Sequence, residues 1–124
     1  MRTKLMKLAF LVDLALVERG EKPLFRWVRW HYGPFSREVL DILEELEEEG
    51  IVEIRWDADP YRLRVYRVEY RALPARIRQP PRHIRDAIEE VVRRWGNATL
   101  DEILRYVYQL PVVRGKRLGE VIEL

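Results

Sequence analysis

The chain has 124 residues, 48% of them apolar and 35% charged, with a net charge of +2. That length and composition fit one small globular domain and exclude a disordered or fibrous chain. There is no cysteine, which excludes disulfides, thiolate chemistry and cysteine-ligated zinc.

Charge is unevenly spread. Residues 1–50 carry a net −2, residues 51–82 a net +4, and residues 83–124 are neutral. Arg and Glu are abundant while Asn, Gln and Ser are scarce, a composition expected of a thermophile rich in surface ion pairs.

Thr3 is placed to cap a first helix and Gly20 to end it. Between them the helix is apolar nearly all round (Leu5, Leu8, Phe10, Leu11, Val12, Leu14, Leu16), so it is expected at the centre with neighbours on several sides. The run Leu8 to Val17 holds ten residues and is broken by Asp13. A membrane span needs about 20, so the run reads as a buried helix of a cytoplasmic protein without membrane contact. No secretory signal pattern is present.

Leu24 to Trp30 reads as a short strand or extended segment, and Tyr32-Gly33-Pro34 as a sharp break. Ser36 caps the next helix. Its apolar stripe is Val39, Leu40, Leu43 and Leu46, and Gly50 ends it. The opposite face carries Glu38, Asp41, Glu45, Glu48 and Glu49. Ile51 to Trp56 and Leu63 to Tyr70 form a hairpin about an Asp57–Pro60 turn, with a bulge expected near Tyr66 or Arg67, where the alternation shifts.

Leu73 to Pro81 is a proline-rich linker. Ile84, Ala87, Ile88, Val91, Val92 and Trp95 then make a helical stripe, with Glu89–Arg93 and Glu90–Arg94 paired outside it. Thr99 and Glu102 give a capping-box start for a last helix that Pro111 stops. Arg114 to Arg117 is a basic turn, and Leu118 to Leu124 a short terminal element. A helix followed by a hairpin is the winged-helix arrangement. The expected fold is therefore α+β: a winged-helix-like domain with additional C-terminal helices. It spans 1–124 as a single domain, with a winged-helix-like part at 1–72 and a C-terminal helical part at 82–124.

The stretch Arg26 to Ser36 holds Trp27, Trp30, His31, Tyr32, Phe35 and the only serine. His31 and Ser36 have no acid fixed beside them, as a nucleophile and base would need. The two histidines lie 52 positions apart and make no metal motif. The glycines are isolated, so no phosphate loop exists. No catalytic, cofactor-binding or metal-ligating residue is assigned, and the chain reads as no enzyme. Core packing accounts for the aromatics better than base stacking does, with Trp30 or Tyr32 the ones left partly exposed.

The segment Lys4 to Leu11, Tyr32-Gly33-Pro34-Phe35-Ser36, and the set Leu43, Leu46, Gly50, Ile51 and Val52 occur in that order. Together they resemble the Panacea (SocA-like) antitoxin-associated family over roughly the first 55 residues. The first matches the family's K-L-x-K-L-x-[FY]-L opening, the second its Y-G-P motif, and the third its helix-to-wing junction. The resemblance implies a binding protein, such as an antitoxin that neutralises a toxin, or a related adaptor or regulator.

Two functions are compared. The first is a non-enzymatic protein-interaction module whose partner surface is Trp30, Tyr32, Phe35, Asp41, Glu45 and Glu48. The second is a winged-helix DNA-binding regulator, dimeric through its first helix, with nucleic-acid contacts from Arg37, Arg55, Arg62, Arg64 and Arg67. The helix before the hairpin presents at least five carboxylates, and DNA would repel it. The protein-interaction module is therefore the leading expectation.

Overall fold

The computed structural model describes the backbone of residues 2–59, 62–70 and 79–124, and the side chains of residues 4–51 and 79–124. The fold is α+β. Its helices are α1 (Arg2–Glu18), α2 (Arg37–Glu48), α3 (Arg82–Trp95) and α4 (Leu100–Gln109). Its strands are β1 (Trp27–Trp30), β2 (Gly33–Phe35), β3 (Val52–Asp59), β4 (Arg62–Tyr70) and β5 (Val121–Ile122). The strands form an antiparallel sheet in the order β2-β1-β5 and a separate β3-β4 hairpin that follows α2 directly.

Helix α1 occupies the centre, as its all-round apolar surface requires. It meets α2, α3, α4 and the small sheet. Phe10, Leu11, Ala15 and Leu16 are buried in one core with Trp27, Val39, Ala87, Val91, Ile103, Val107 and Ile122. The Phe10 and Trp27 rings meet edge to face, with centroids 5.3 Å apart. That geometry contributes about 1 kcal/mol beyond the area it buries. The helix begins at Arg2, so Thr3 lies inside it and is not its cap. Its end is as expected: Gly20 takes a φ of +81°, Glu21 N–H reaches back to Leu16 O, and Gly20 N–H reaches Val17 O.

The expected strand from Leu24 is shorter in fact. Leu24 and Phe25 give their backbone N–H groups to the Asp13 carboxylate, and the ladder starts at Trp27. The expected break at Tyr32-Gly33-Pro34 is a hairpin turn. Trp30 pairs with Gly33 and Val28 with Phe35. His31 and Tyr32 keep negative φ while Gly33 sits at +91°, the pattern of a tight turn closed by a left-handed glycine. The C-terminal element is β5, which pairs Ile122 with Trp27 and Val121 with Val28.

Ser36 caps α2 as expected. Its hydroxyl accepts the Val39 N–H at 3.3 Å, and the residue is buried. Ser36→Ala should lower stability by about 1 kcal/mol, read from the midpoint of urea unfolding. Thr99 caps α4 in the same way, accepting the Glu102 N–H. Leu110 is extended before Pro111 and ends α4.

Three further expectations are corrected. The β3-β4 ladder is regular from Val52↔Tyr70 to Asp57↔Val65 and then shifts, so that Leu63 and Arg64 face Ala58 alone. The bulge thus lies near the turn rather than at Tyr66 or Arg67, and β3 runs through Asp57 to Asp59 where a turn was expected. The slip in alternation is absorbed where the ladder ends, and costs fewer paired bonds there. On α3 the buried stripe is narrower than its apolar pattern. Ala87 and Val91 are buried, but Ile88 and Val92 are exposed, because α1 covers only one side of the helix. Glu90 pairs with Arg19, just past the end of α1, rather than with Arg94. The Arg94 guanidinium instead lies over the rings of Trp95 and Tyr106, at 5.1 and 5.2 Å.

Candidate functional site: the aromatic turn and the acidic helix

The β1-β2 turn projects from a rigid base. Trp27 at its root is 1% exposed, whereas Trp30 is 44% and Tyr32 66% exposed. Trp30 lies against His31 at 4.9 Å and Phe35 at 6.4 Å. Phe35 is half-buried and also packs on the core. Three of the residues assigned to a partner surface are thus brought together, Phe35 as the floor and Trp30 and Tyr32 as the exposed edge.

Two residues of α1 hold this turn in place, and sequence reasoning missed both. Asp13 is fully buried. Its Oδ1 accepts the Leu24 N–H at 2.7 Å, and its Oδ2 accepts the Phe25 N–H at 3.0 Å and the Trp27 indole N–H at 2.8 Å. Lys7 is 3% exposed, and its Nζ donates to the Pro34 carbonyl at 2.8 Å. Burial lowers the Lys7 ammonium from 10.5 to about 8, because a charge is costly away from water. A Cβ on Gly33 would stand in ordinary contact with the Lys7 side chain at 3.5 Å, so it is the φ of +91° and not lack of space that calls for glycine here. The sequence signal was two charges, Lys7 and Asp13, set among the apolar residues of the helix, and Asp13 entered the sequence reading only as an interruption.

Helix α2 adds the other assigned residues. Asp41, Glu45 and Glu48 are all exposed. Arg37, assigned to nucleic acid, pairs instead with Asp41 at 3.2 Å one turn along the same helix. Arg55 and Arg67 are partners in the β3-β4 register and Arg62 is opposite Asp59. The side chains of Arg55, Arg62, Arg64 and Arg67 lie outside the described residues.

A cleft between α1, α3 and α4, lined by Leu14, Glu18, Arg94 and Tyr106 among others, has about 30 Å3 of room. That holds about one water, far less than small-molecule sites of roughly 300–1,000 Å3. Among the described residues no group of three His, Asp or Glu could hold a metal ion, and no helix is long and apolar enough to cross a membrane.

The first two of the segments that suggested a family in the sequence touch one another: Lys7 holds Pro34, and the Ser36 N–H points at the Met6 sulfur. Residues 5–111 match the family model described as antitoxin SocA-like, Panacea domain. The chain belongs to the Panacea family. The match reaches well past the first 55 residues and takes in α3, α4 and Pro111. No curated protein and no solved structure matches the chain. In Panacea terms, the opening of α1 and the Y-G-P turn form one unit, in which buried polar groups of the helix position the exposed aromatics.

Proposed function

We propose that this Panacea protein is a non-enzymatic protein-interaction module of antitoxin type, and that its partner surface is the Trp30–Tyr32–Phe35 turn with the acidic face of α2. The observation that carries the reading is the partition of the turn. Trp27 is sealed in the core while Trp30 and Tyr32 stand in solvent on a base fixed by Asp13 and Lys7. Exposed aromatics on a rigid mount suit a contact anchor. Asp41, Glu45 and Glu48, exposed on α2, favour a partner with a basic surface, and the antitoxin description of the family makes a toxin the partner class.

Against the DNA-binding reading stands the helix preceding the hairpin, whose exposed face is acidic and whose Arg37 is engaged by Asp41. Capture from the native host followed by titration tests the proposal. The partner should be a basic protein, and Glu45→Lys/Glu48→Lys together should weaken it about ten-fold or more. Duplex DNA should not bind at about 50 mM salt. Steep salt-dependent DNA binding, weakened by Arg62→Ala or Arg64→Ala, would favour the regulator instead.

A further inference from the structure

The β2-β1-β5 sheet has an apolar row on each face. Register partners project to the same side of a sheet. Trp27 and Ile122 pair and are buried at 1% and 3% exposure, so they form the inner row. Val28 pairs with Phe35 on one side and Val121 on the other, and Trp30 shares their parity. That outer row is Val28, Phe35, Trp30 and Val121, with Phe35 half-buried against the edge of the core and Trp30 44% and Val121 37% exposed. A small antiparallel sheet with one buried face ordinarily turns polar residues outward. The four outer positions here are all apolar.

The β2 edge of this sheet is closed to an added strand. Pro34 has no N–H, its carbonyl is taken by Lys7, and the Ser36 N–H points at Met6. The surface left on this side is the face. The α2 ridge starts beside this sheet, where Glu38 Oε1 accepts the Arg26 N–H one residue before β1. On that ridge Ile42 is 44% exposed among Asp41 and Glu45. Glu45 and Glu48 meet no cation among the described residues.

We infer that the outer sheet face and the α2 ridge seat a cationic amphipathic helix of the partner protein, an inference that rests on the protein-interaction reading above. One chemistry satisfies both halves. Lys or Arg side chains pair with the ridge carboxylates and lie over the Trp30 ring, while an apolar stripe covers Val28, Val121 and Ile42. Arg29 already lies 5.6 Å over the Tyr108 ring within this chain. An acidic helix would be repelled by the ridge.

The test uses a synthetic helical peptide of about five turns with Leu on one face and Lys on the other. Two controls accompany it, one with Glu in place of Lys and one with the same residues shuffled. Binding is followed through the backbone amide spectrum of the full chain. The Leu/Lys peptide should shift the amides of Val28, Trp30, Ile42 and Val121. Val121→Lys, at an exposed position, should weaken it about ten-fold with the spectrum of the free chain otherwise unchanged. Shifts centred elsewhere, equal binding of either control, or an unaffected Val121→Lys variant would overturn the inference. So would self-association through this face, seen as the same shifts on raising the chain's own concentration. A native partner that ignores Val121→Lys but is lost with Glu45→Lys/Glu48→Lys would overturn this inference alone. The absence of any protein partner would overturn the reading beneath it.

Discussion

Asp13→Ala should lose about 4 kcal/mol of stability in urea unfolding at neutral pH, the largest effect expected of any single substitution at the site. The carboxylate is fully buried and accepts three hydrogen bonds. Bonds to a charged acceptor are worth about 1.5–3 kcal/mol each. Alanine removes the acceptor and strands the Trp27 indole N–H inside the core. The Leu24 and Phe25 N–H groups lie nearer the surface, where water compensates in part, so the three contributions do not sum in full. Domains of this kind are stable by about 5–15 kcal/mol, and a loss of this size threatens folding at 37 °C. Asp13→Asn keeps one acceptor oxygen and should lose about half as much. A loss below about 1 kcal/mol in the alanine variant would mean that the carboxylate does not hold the turn.

The second large effect is a pH dependence of unusual sign. Lys7 has its ammonium lowered from 10.5 to about 8 by burial. Below that value Lys7 is charged in both folded and unfolded chains, and the cost of burying the charge is carried in full. Between about 8 and 10.5 the folded chain has released the proton while the unfolded chain keeps it. The unfolded state then binds more protons, so this group makes stability rise with pH. One unit corresponds to about 1.4 kcal/mol, giving roughly 3 kcal/mol across the window. Other lysines and tyrosines titrate nearby, so the quantity to follow is the difference between wild type and Lys7→Met. Wild type should gain about 3 kcal/mol on the variant from pH 8 to 10.5. Parallel pH profiles for the two chains would contradict the buried ammonium.

These two residues also mark where sequence reasoning stopped. The helices were legible because each carries its own period and caps: Ser36 and Thr99 begin helices where expected, and Gly20 and Gly50 take positive φ just past the ends of theirs. The β3-β4 hairpin was legible from alternation. The partition of the tryptophans was legible in part, since Trp30 and Tyr32 are the exposed members of their stretch. The β1-β2 hairpin was not, because a turn ending in Gly-Pro reads locally as a break and only the pairing with Val28 and Trp30 makes it a strand. The β5 strand was equally hidden: two residues carry no period, and its partner lies more than 90 positions earlier. Lys7 and Asp13 were hidden for the same reason. A charge set among the apolar residues of a helix shows that something must satisfy it, but its partners, Pro34 in one case and Leu24, Phe25 and Trp27 in the other, are set by tertiary structure.

The charge pattern carries the choice between protein and nucleic acid. The basic excess of residues 51–82 first suggested phosphate contacts. Placed in the fold, that segment follows a helix whose exposed face is acidic and whose Arg37 is bound to Asp41. A groove-reading helix would need the opposite sign. The proposed partner of the aromatic turn and the acidic face of α2 is accordingly a basic protein.

Backbone hydrogen exchange of the chain alone and in complex with its captured partner tests that claim most directly. Protection should appear across β1, the following turn and β2, and along α2 from Asp41 to Glu48, with little change in the β3-β4 hairpin. Protection concentrated in β3 and β4, with the turn and α2 unchanged, would contradict the account.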